Sequence, residues 1–135
     1  MDIYQLDKDL IKIALKKNEL DLLNYDDEEY DRVEEEVHSL EDSFQDQYGE
    51  YLEEKLADVH DEYCSDNDVL IPIAYIANKY ILSNEQFNVD VNQGVQVDVD
   101  DYPQKKTRLV LIPKPTRIVL IVDENTQNVV WEAKP

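Results

Sequence analysis

The stretch from Asp26 to Phe44, DDEEYDRVEEEVHSLEDSF, sets ten carboxylates against one cation, Arg32. A chain that crowds like charge in this way needs a compensating force in the same segment, and that requirement limits the fold more than any other feature. Pairs at helical spacing such as Asp27/Asp31, Asp31/Glu35, Asp46/Glu50 and Glu50/Glu54 each cost a few tenths of a kcal/mol. The compensation is an apolar stripe. Tyr30, Val33, Val37, Leu40, Phe44, Tyr48, Tyr51, Leu52, Leu56, Val59 and Tyr63 recur mostly at steps of three and four, the period of one helix face. Burying a large apolar side chain is worth roughly 1.5–3 kcal/mol, so the stripe outweighs the repulsion once it packs on something. A helix is therefore expected in the folded chain and not in isolation. Asp26, with Glu29 three residues later, reads as its N-cap. Gly49 sits in mid-stripe, where it costs about 1 kcal/mol relative to Ala. It marks either a break into a helical hairpin or a weak point in one long helix. The stripe keeps phase across it, which favours the single helix.

The flanking segments supply the packing partners. Residues 3–23 carry Leu6, Leu10 and Ile13 on one helical face, widened by Ile11, Ala14 and Leu15. That helix ends at Asn18 or after a further turn in ELDLL. From Val69 to Leu82 the chain is apolar nearly all round, with Pro72 near its start. This predicts a buried helix with Pro72 in its first turn.

From Phe87 the period changes to two. Phe87, Val89 and Val91, then Val95, Val97 and Val99, alternate with polar residues around Asn92-Gln93-Gly94. That pattern predicts a hairpin with a three-residue loop and Gly94 in its left-handed position. The continuous runs RLVLI (108–112) and RIVLIV (117–122) read as inner strands joined by PKP, and VVW (129–131) as a last strand. The expected fold class is α+β. N-terminal helices (one long acidic helix or helical hairpin, one buried apolar helix) pack on a C-terminal, mostly antiparallel sheet of about five strands. We expect one domain over residues 1–135, with a helical part at 1–83 and a sheet part at 84–135.

The net charge is −19, and residues 25–68 alone hold nineteen acids and two bases, a net of −17. This imbalance argues against direct binding to a phosphate backbone or to anionic lipid. It suits a basic protein partner, a metal ion or simple solubility. No apolar run reaches membrane-spanning length. The N-terminus lacks a basic-then-apolar leader pattern, and the lone cysteine, Cys64, forms no internal disulfide. The expected location is cytoplasmic.

Motifs that carry chemistry are sparse. Glu35 and His38 form one Glu-x-x-His, but the second histidine, His60, follows Ala57 at that spacing, so a di-iron carboxylate set is incomplete. His60, Asp61, Cys64, Asp66 and Asp68 mix hard and soft ligands, and Asp98, Asp100 and Asp101 beside Tyr102 are a candidate for weak Ca²⁺ binding. Cys64 lies four residues after His60, but its acidic neighbours oppose thiolate formation. With only Gly49 and Gly94, no phosphate-cradling loop is available. No catalytic residue, metal site or cofactor is assigned.

The reading that follows is a small acidic intracellular interaction protein. It presents Asp27, Asp31, Glu34, Glu35, Asp42, Asp46, Glu50, Glu53 and Glu54 to a basic partner. Its concrete forms are an immunity or antitoxin protein, or an inhibitor that mimics nucleic acid. If helical throughout, residues 26–68 would span about 64 Å at ~1.5 Å per residue. Nineteen acids would then fall every ~3.4 Å, the charge spacing of one DNA strand. The alternatives are a carboxylate-rich divalent-metal binder, or a domain whose acidic face serves only solubility. Crowded carboxylates are further expected to hold raised folded-state pKa values, which would make stability fall as pH rises.

Overall fold

The computed structural model describes residues 1–135. Helix α1 (Ile3–Asp21) starts at Asp2, whose carboxylate accepts the backbone N–H of Tyr4 and of Gln5, both at 3.1 Å. Leu6, Leu10, Ile13 and Ala14 form its buried face. Asn18 does not end this helix. Its side-chain amide accepts from Tyr80 N (2.8 Å) and donates to Tyr80 O (3.0 Å), standing in for a strand neighbour.

Helix α2 (Tyr30–Tyr63) is continuous through Gly49. It starts later than Asp26 because residues 24–30 make successive turns, Asp27 N to Asn24 O and Tyr30 N to Asp27 O. The expected stripe is the buried one: Val33, Val37, Phe44, Tyr48, Leu52, Leu56 and Val59 are covered, with Tyr30, Leu40, Tyr51 and Tyr63 half-buried. Its first half packs on α1, where the Tyr48 hydroxyl donates to Asp9 Oδ2 at 2.5 Å. Its second half reaches the C-terminal strands, where the Tyr51 ring meets Trp131 at 6.1 Å between centroids.

The strands are β1 (Ile81–Ser83), β2 (Gln86–Asn88), β3 (Val95–Gln96), β4 (Arg108–Ile112), β5 (Arg117–Asp123) and β6 (Thr126–Glu132). They form an antiparallel two-stranded ribbon, β1-β2, and an antiparallel four-stranded sheet in the order β3-β4-β5-β6. The two continuous apolar runs are the central strands β4 and β5, buried on both faces as expected. PKP joins them through a cis Lys114–Pro115 bond, and Asp7 of α1 ties the corner down by accepting Lys114 N (2.9 Å) and Thr116 Oγ1 (2.8 Å). One core cluster draws residues from α1, α2 and the strands together.

Two expected elements differ. The buried apolar helix over Val69–Leu82 is absent. The segment holds a single 3-10 turn, Pro72–Tyr75, and then runs extended along the border of the sheet. Its backbone is satisfied there by other means: Ile76 bridges Leu111, the Tyr80 hydroxyl accepts Ala77 N and donates to Leu111 O (2.7 Å), and Asn18 takes both polar groups of Tyr80. Burial is partial as well: Tyr75, Ile76, Ala77 and Tyr80 are covered while Leu70, Ile71, Ile81 and Leu82 are exposed, and an apolar run without periodicity fits such an extended segment as well as a helix.

The hairpin pairing Phe87–Val91 with Val95–Val99 is also absent. β2 turns back on β1 through Asn84-Glu85, both with positive φ, and β3 joins the edge of β4. The alternation still reports burial, since Phe87, Val89, Val97 and Val99 are covered while Val91 is exposed and Val95 half-buried. Gly94 does have left-handed φ (89°), and its role is close approach: a Cβ there would lie 2.3 Å from Leu109 O.

Candidate functional site

The carboxylate-rich face is a product of helical phase. At about 100° per residue, Glu35, Asp42, Asp46 and Glu53 fall within about 40° of one another, on the side of α2 away from its buried stripe. All are exposed, as are Asp31, Glu50 and Glu54 around them. Glu34 lies nearer the buried stripe and is half-buried, and Asp27 sits in the turn before the helix, where it accepts Asn24 N at 2.8 Å. The structure thus brings seven of the nine candidate residues onto one exposed helical surface and sets Glu34 and Asp27 at its margins.

Cations are distributed so that most carboxylates of this surface have no ion pair. Lys16 reaches Glu36 at 2.6 Å and Glu19 at 2.8 Å, and Lys17 reaches Glu41 at 3.6 Å, so these pairs lie in the joint between α1 and α2. Arg32 binds Glu29 and Glu36. The hydrogen bond from Lys16 holds the Glu36 carboxyl below the usual carboxylate range. The backbone N–H of Asn125 does the same for Asp123. The Glu36 shift runs opposite to the raised value expected from crowding. The basic residues of the sheet are engaged elsewhere. Lys105 pairs with Asp123 at 3.3 Å, Arg108 donates to Gly94 O, and Arg117 donates to the carbonyls of Pro113, Pro115 and Phe87. On the exposed surface itself Arg32 lies beside Glu35 and Asp42 but pairs with Glu29 and Glu36, and among the seven outward carboxylates only Glu54 makes an ion pair, with Lys55 at 3.9 Å. The pairs of Arg32 with Glu29 and Glu36 lie at local helical spacing, but Lys16–Glu36 and Lys17–Glu41 carried no sequence signal, because their partners lie on another helix.

The remaining candidates resolve into structural roles. His60 is buried, with Nδ1 2.9 Å from Asn67 O and Nε2 2.9 Å from the Tyr75 hydroxyl. A carbonyl only accepts, so Nδ1 carries the hydrogen; the Tyr75 O–H then donates to Nε2 while its oxygen accepts Leu70 N at 3.1 Å. Burial raises the Tyr75 phenol above its ordinary range. Cys64 is buried, and that burial pushes its thiol up to about 11. Asn67 pairs with Asp98 through both its side-chain oxygen, on Asp98 N, and its nitrogen, on the carboxylate. No three His, Cys, Asp or Glu side chains converge on a point where they could hold a metal ion. His38 stands on the open surface of α2 with Glu35 and Asp42, in a shallow depression lined wholly by polar side chains of that helix. The notch between α1 and α2 at Asp9, Leu40 and Phe44 has a volume of about 140 Å³, below the ~300–1,000 Å³ of ordinary ligand pockets.

What the fold and the site define is an α+β chain with one exposed anionic helix face. No helix is long and apolar enough to cross a membrane. Comparison with family models, with curated proteins and with solved structures finds no match.

Proposed function

We propose that the exposed face of α2 docks a basic protein partner, with Asp31, Glu35, Asp42, Asp46, Glu50, Glu53 and Glu54 as its centre. The observation that carries this reading is the uneven use of cations: lysines neutralise Glu36 and Glu41 in the helix joint, while the outward carboxylates, apart from Glu54, have no ion pair. Fields of one sign speed encounter and select partners of the opposite sign. An immunity-type or antitoxin-type inhibitor acting in the cytoplasm is one concrete form.

Mimicry of nucleic acid has weaker support. Of the acids in α2 ten are exposed. Over 34 residues, or about 51 Å at ~1.5 Å per residue, that is one per ~5 Å, coarser than the ~3.4 Å of a DNA strand. The test is capture from the native cell with the natural chain and with a Glu35→Gln, Asp42→Asn, Asp46→Asn, Glu53→Gln variant, at low and high salt. The reading requires basic proteins that the natural chain retains at low salt and the variant loses; identical retained sets would refute it. Adding duplex DNA to the capture separates the two forms, since only a partner whose nucleic-acid groove is covered would be displaced.

A further inference from the structure

The two edges of the four-stranded sheet are treated very differently. The β4 side is closed by three separate devices: β3 pairs at Arg108 and Leu109, Ile76 bridges Leu111, and the Tyr80 hydroxyl donates to Leu111 O. The other edge is β6, and its only partner is β5. No loop or side-chain hydrogen bond reaches the backbone of Thr126–Glu132 from anywhere else. Natural proteins guard such an edge with lysine, proline, bulges or a covering loop. Here Thr126–Trp131 contains no charge and no proline, and Val129 is 56% exposed. Register shifts at Val130 and, opposite Gln127 and Thr126, at Val122 of β5 are the only guards, and they leave Gln127–Val129 as the regular part of the edge.

The surroundings of the edge are acidic. The Tyr51–Trp131 contact sets one turn of α2 over β6. Glu50 and Glu54 flank Tyr51 on that turn, the Glu54 side chain is 72% exposed, and the one cation there, Lys55, lies over the Tyr51 ring and pairs with Glu54 at 3.9 Å. Glu124 precedes the strand and Glu132 ends it. A second copy of the chain at this edge would bring the same carboxylates, and a further −19, against them. An extended segment of opposite charge meets neither objection.

We propose that β6 is an acceptor strand for an extended basic segment of the partner. Main-chain hydrogen bonds centred on Gln127–Val129 would form its contacts with the sheet. Lysine or arginine side chains on alternate positions would face Glu50 and Glu54, as strand addition places every second side chain on one face. This inference rests on the acidic-face reading and adds where and in what conformation the basic partner binds.

The probe is a synthetic peptide of eight residues alternating Lys with Val or Thr, and the same peptide N-methylated at every backbone amide, so that neither edge keeps a donor. Methylation removes backbone donors and keeps every charge. The proposal expects the unmodified peptide to bind at least about tenfold more tightly, the equivalent of about two backbone hydrogen bonds. It also expects slowed hydrogen exchange at amides 127–129. Equal affinities, or NMR shift changes confined to α2, would overturn strand addition while leaving the acidic face intact as a docking surface. Self-association of the chain through β6 would overturn it in favour of a second copy. No binding of either peptide at low salt would overturn strand addition, and loss of capture by the natural chain in the preceding experiment would separately remove the acidic-face reading.

Discussion

Gly49 is the one glycine inside α2, and replacing it by alanine should stabilise the protein. A glycine in a helix interior costs about 1 kcal/mol relative to alanine, chiefly through the backbone entropy lost on folding. The usual reason to retain it is close approach by another backbone, and that reason is missing here. The three atoms nearest to a Cβ at Gly49 all belong to the Gln45 side chain, with Nε2 at 2.3 Å and Cδ at 3.0 Å. Gln45 can withdraw without losing a hydrogen bond, because its buried Oε1 has no partner. Moving one flexible side chain costs on the order of 0.5 kcal/mol. The net gain is then about 0.5–1 kcal/mol, or a rise in Tm of roughly 2–4 °C for a chain of this size. Urea unfolding followed by circular dichroism at 222 nm would show a higher midpoint with an unchanged slope. In a Gln45→Ala background the obstacle is gone, so Gly49→Ala should there deliver the full increment of about 1 kcal/mol. A lower midpoint in both backgrounds would refute the reasoning, since something other than Gln45 would have to be pressing on that position.

Three further outcomes follow from local geometry. Glu85 occupies the second position of a two-residue turn with φ of 64°, where glycine has no steric penalty, so Glu85→Gly should raise stability by about 1 kcal/mol in the same unfolding assay. Tyr75→Phe leaves His60 Nε2 and Leu70 N without their partner and should cost about 2–3 kcal/mol; a loss below about 0.5 kcal/mol would mean that water replaces the hydroxyl. In pH, Glu36 and Asp123 have depressed folded values, so their contribution is present above the ordinary carboxylate range and is lost on acidification below about pH 4.5. Cys64 is raised, so its contribution is present below about pH 9 and is lost as pH climbs towards about 11. Thermal melts from pH 3 to 11 should fall at both ends, and Cys64→Val should flatten the alkaline limb.

Burial was legible in the sequence wherever a period was sustained, and pairing was not. The stripe from Tyr30 to Tyr63 gave α2 its correct buried face because eleven positions in phase leave one orientation. β4 and β5 were legible because a continuous apolar run beside a PKP corner has few other uses. The Phe87–Val99 alternation identified covered residues correctly at Phe87, Val89, Val97 and Val99, yet assigned the wrong neighbour. Alternation describes a face, while the neighbour is chosen by the best available edge, here β1 for β2 and β4 for β3. The Val69–Leu82 segment failed because its backbone partners are distant side chains. Asn18, 62 residues away, satisfies Tyr80, and no local pattern records that. For the candidate surface, helical phase was enough to group Glu35, Asp42, Asp46 and Glu53. Arg32 four residues before Glu36 is a local signal, but the contacts of Lys16 with Glu36 and of Lys17 with Glu41 come from another helix, and no spacing within α2 records them.

That division gives a sharp electrostatic test. If every acid in α2 merely repelled its neighbours, removing any one would help. The structure divides them. Glu36 accepts from both Lys16 and Arg32, and it joins α1 to α2. Glu35, Asp42, Asp46 and Glu53 make no ion pair, and several lie at repelling spacings. Glu36→Gln should therefore lower stability. The four-residue neutral variant should raise it by a few tenths of a kcal/mol per relieved pair. Both effects should shrink in 0.5 M NaCl, where screening acts within ~4–5 Å. The comparison also bears on function. A gain in stability on neutralising the outward acids would mean that the natural chain carries them at a cost to its own fold, as a surface kept for a partner would be. If neutralisation left stability unchanged at low salt, the carboxylates would be too well solvated to repel, and the mutual repulsion inferred for this face would be wrong.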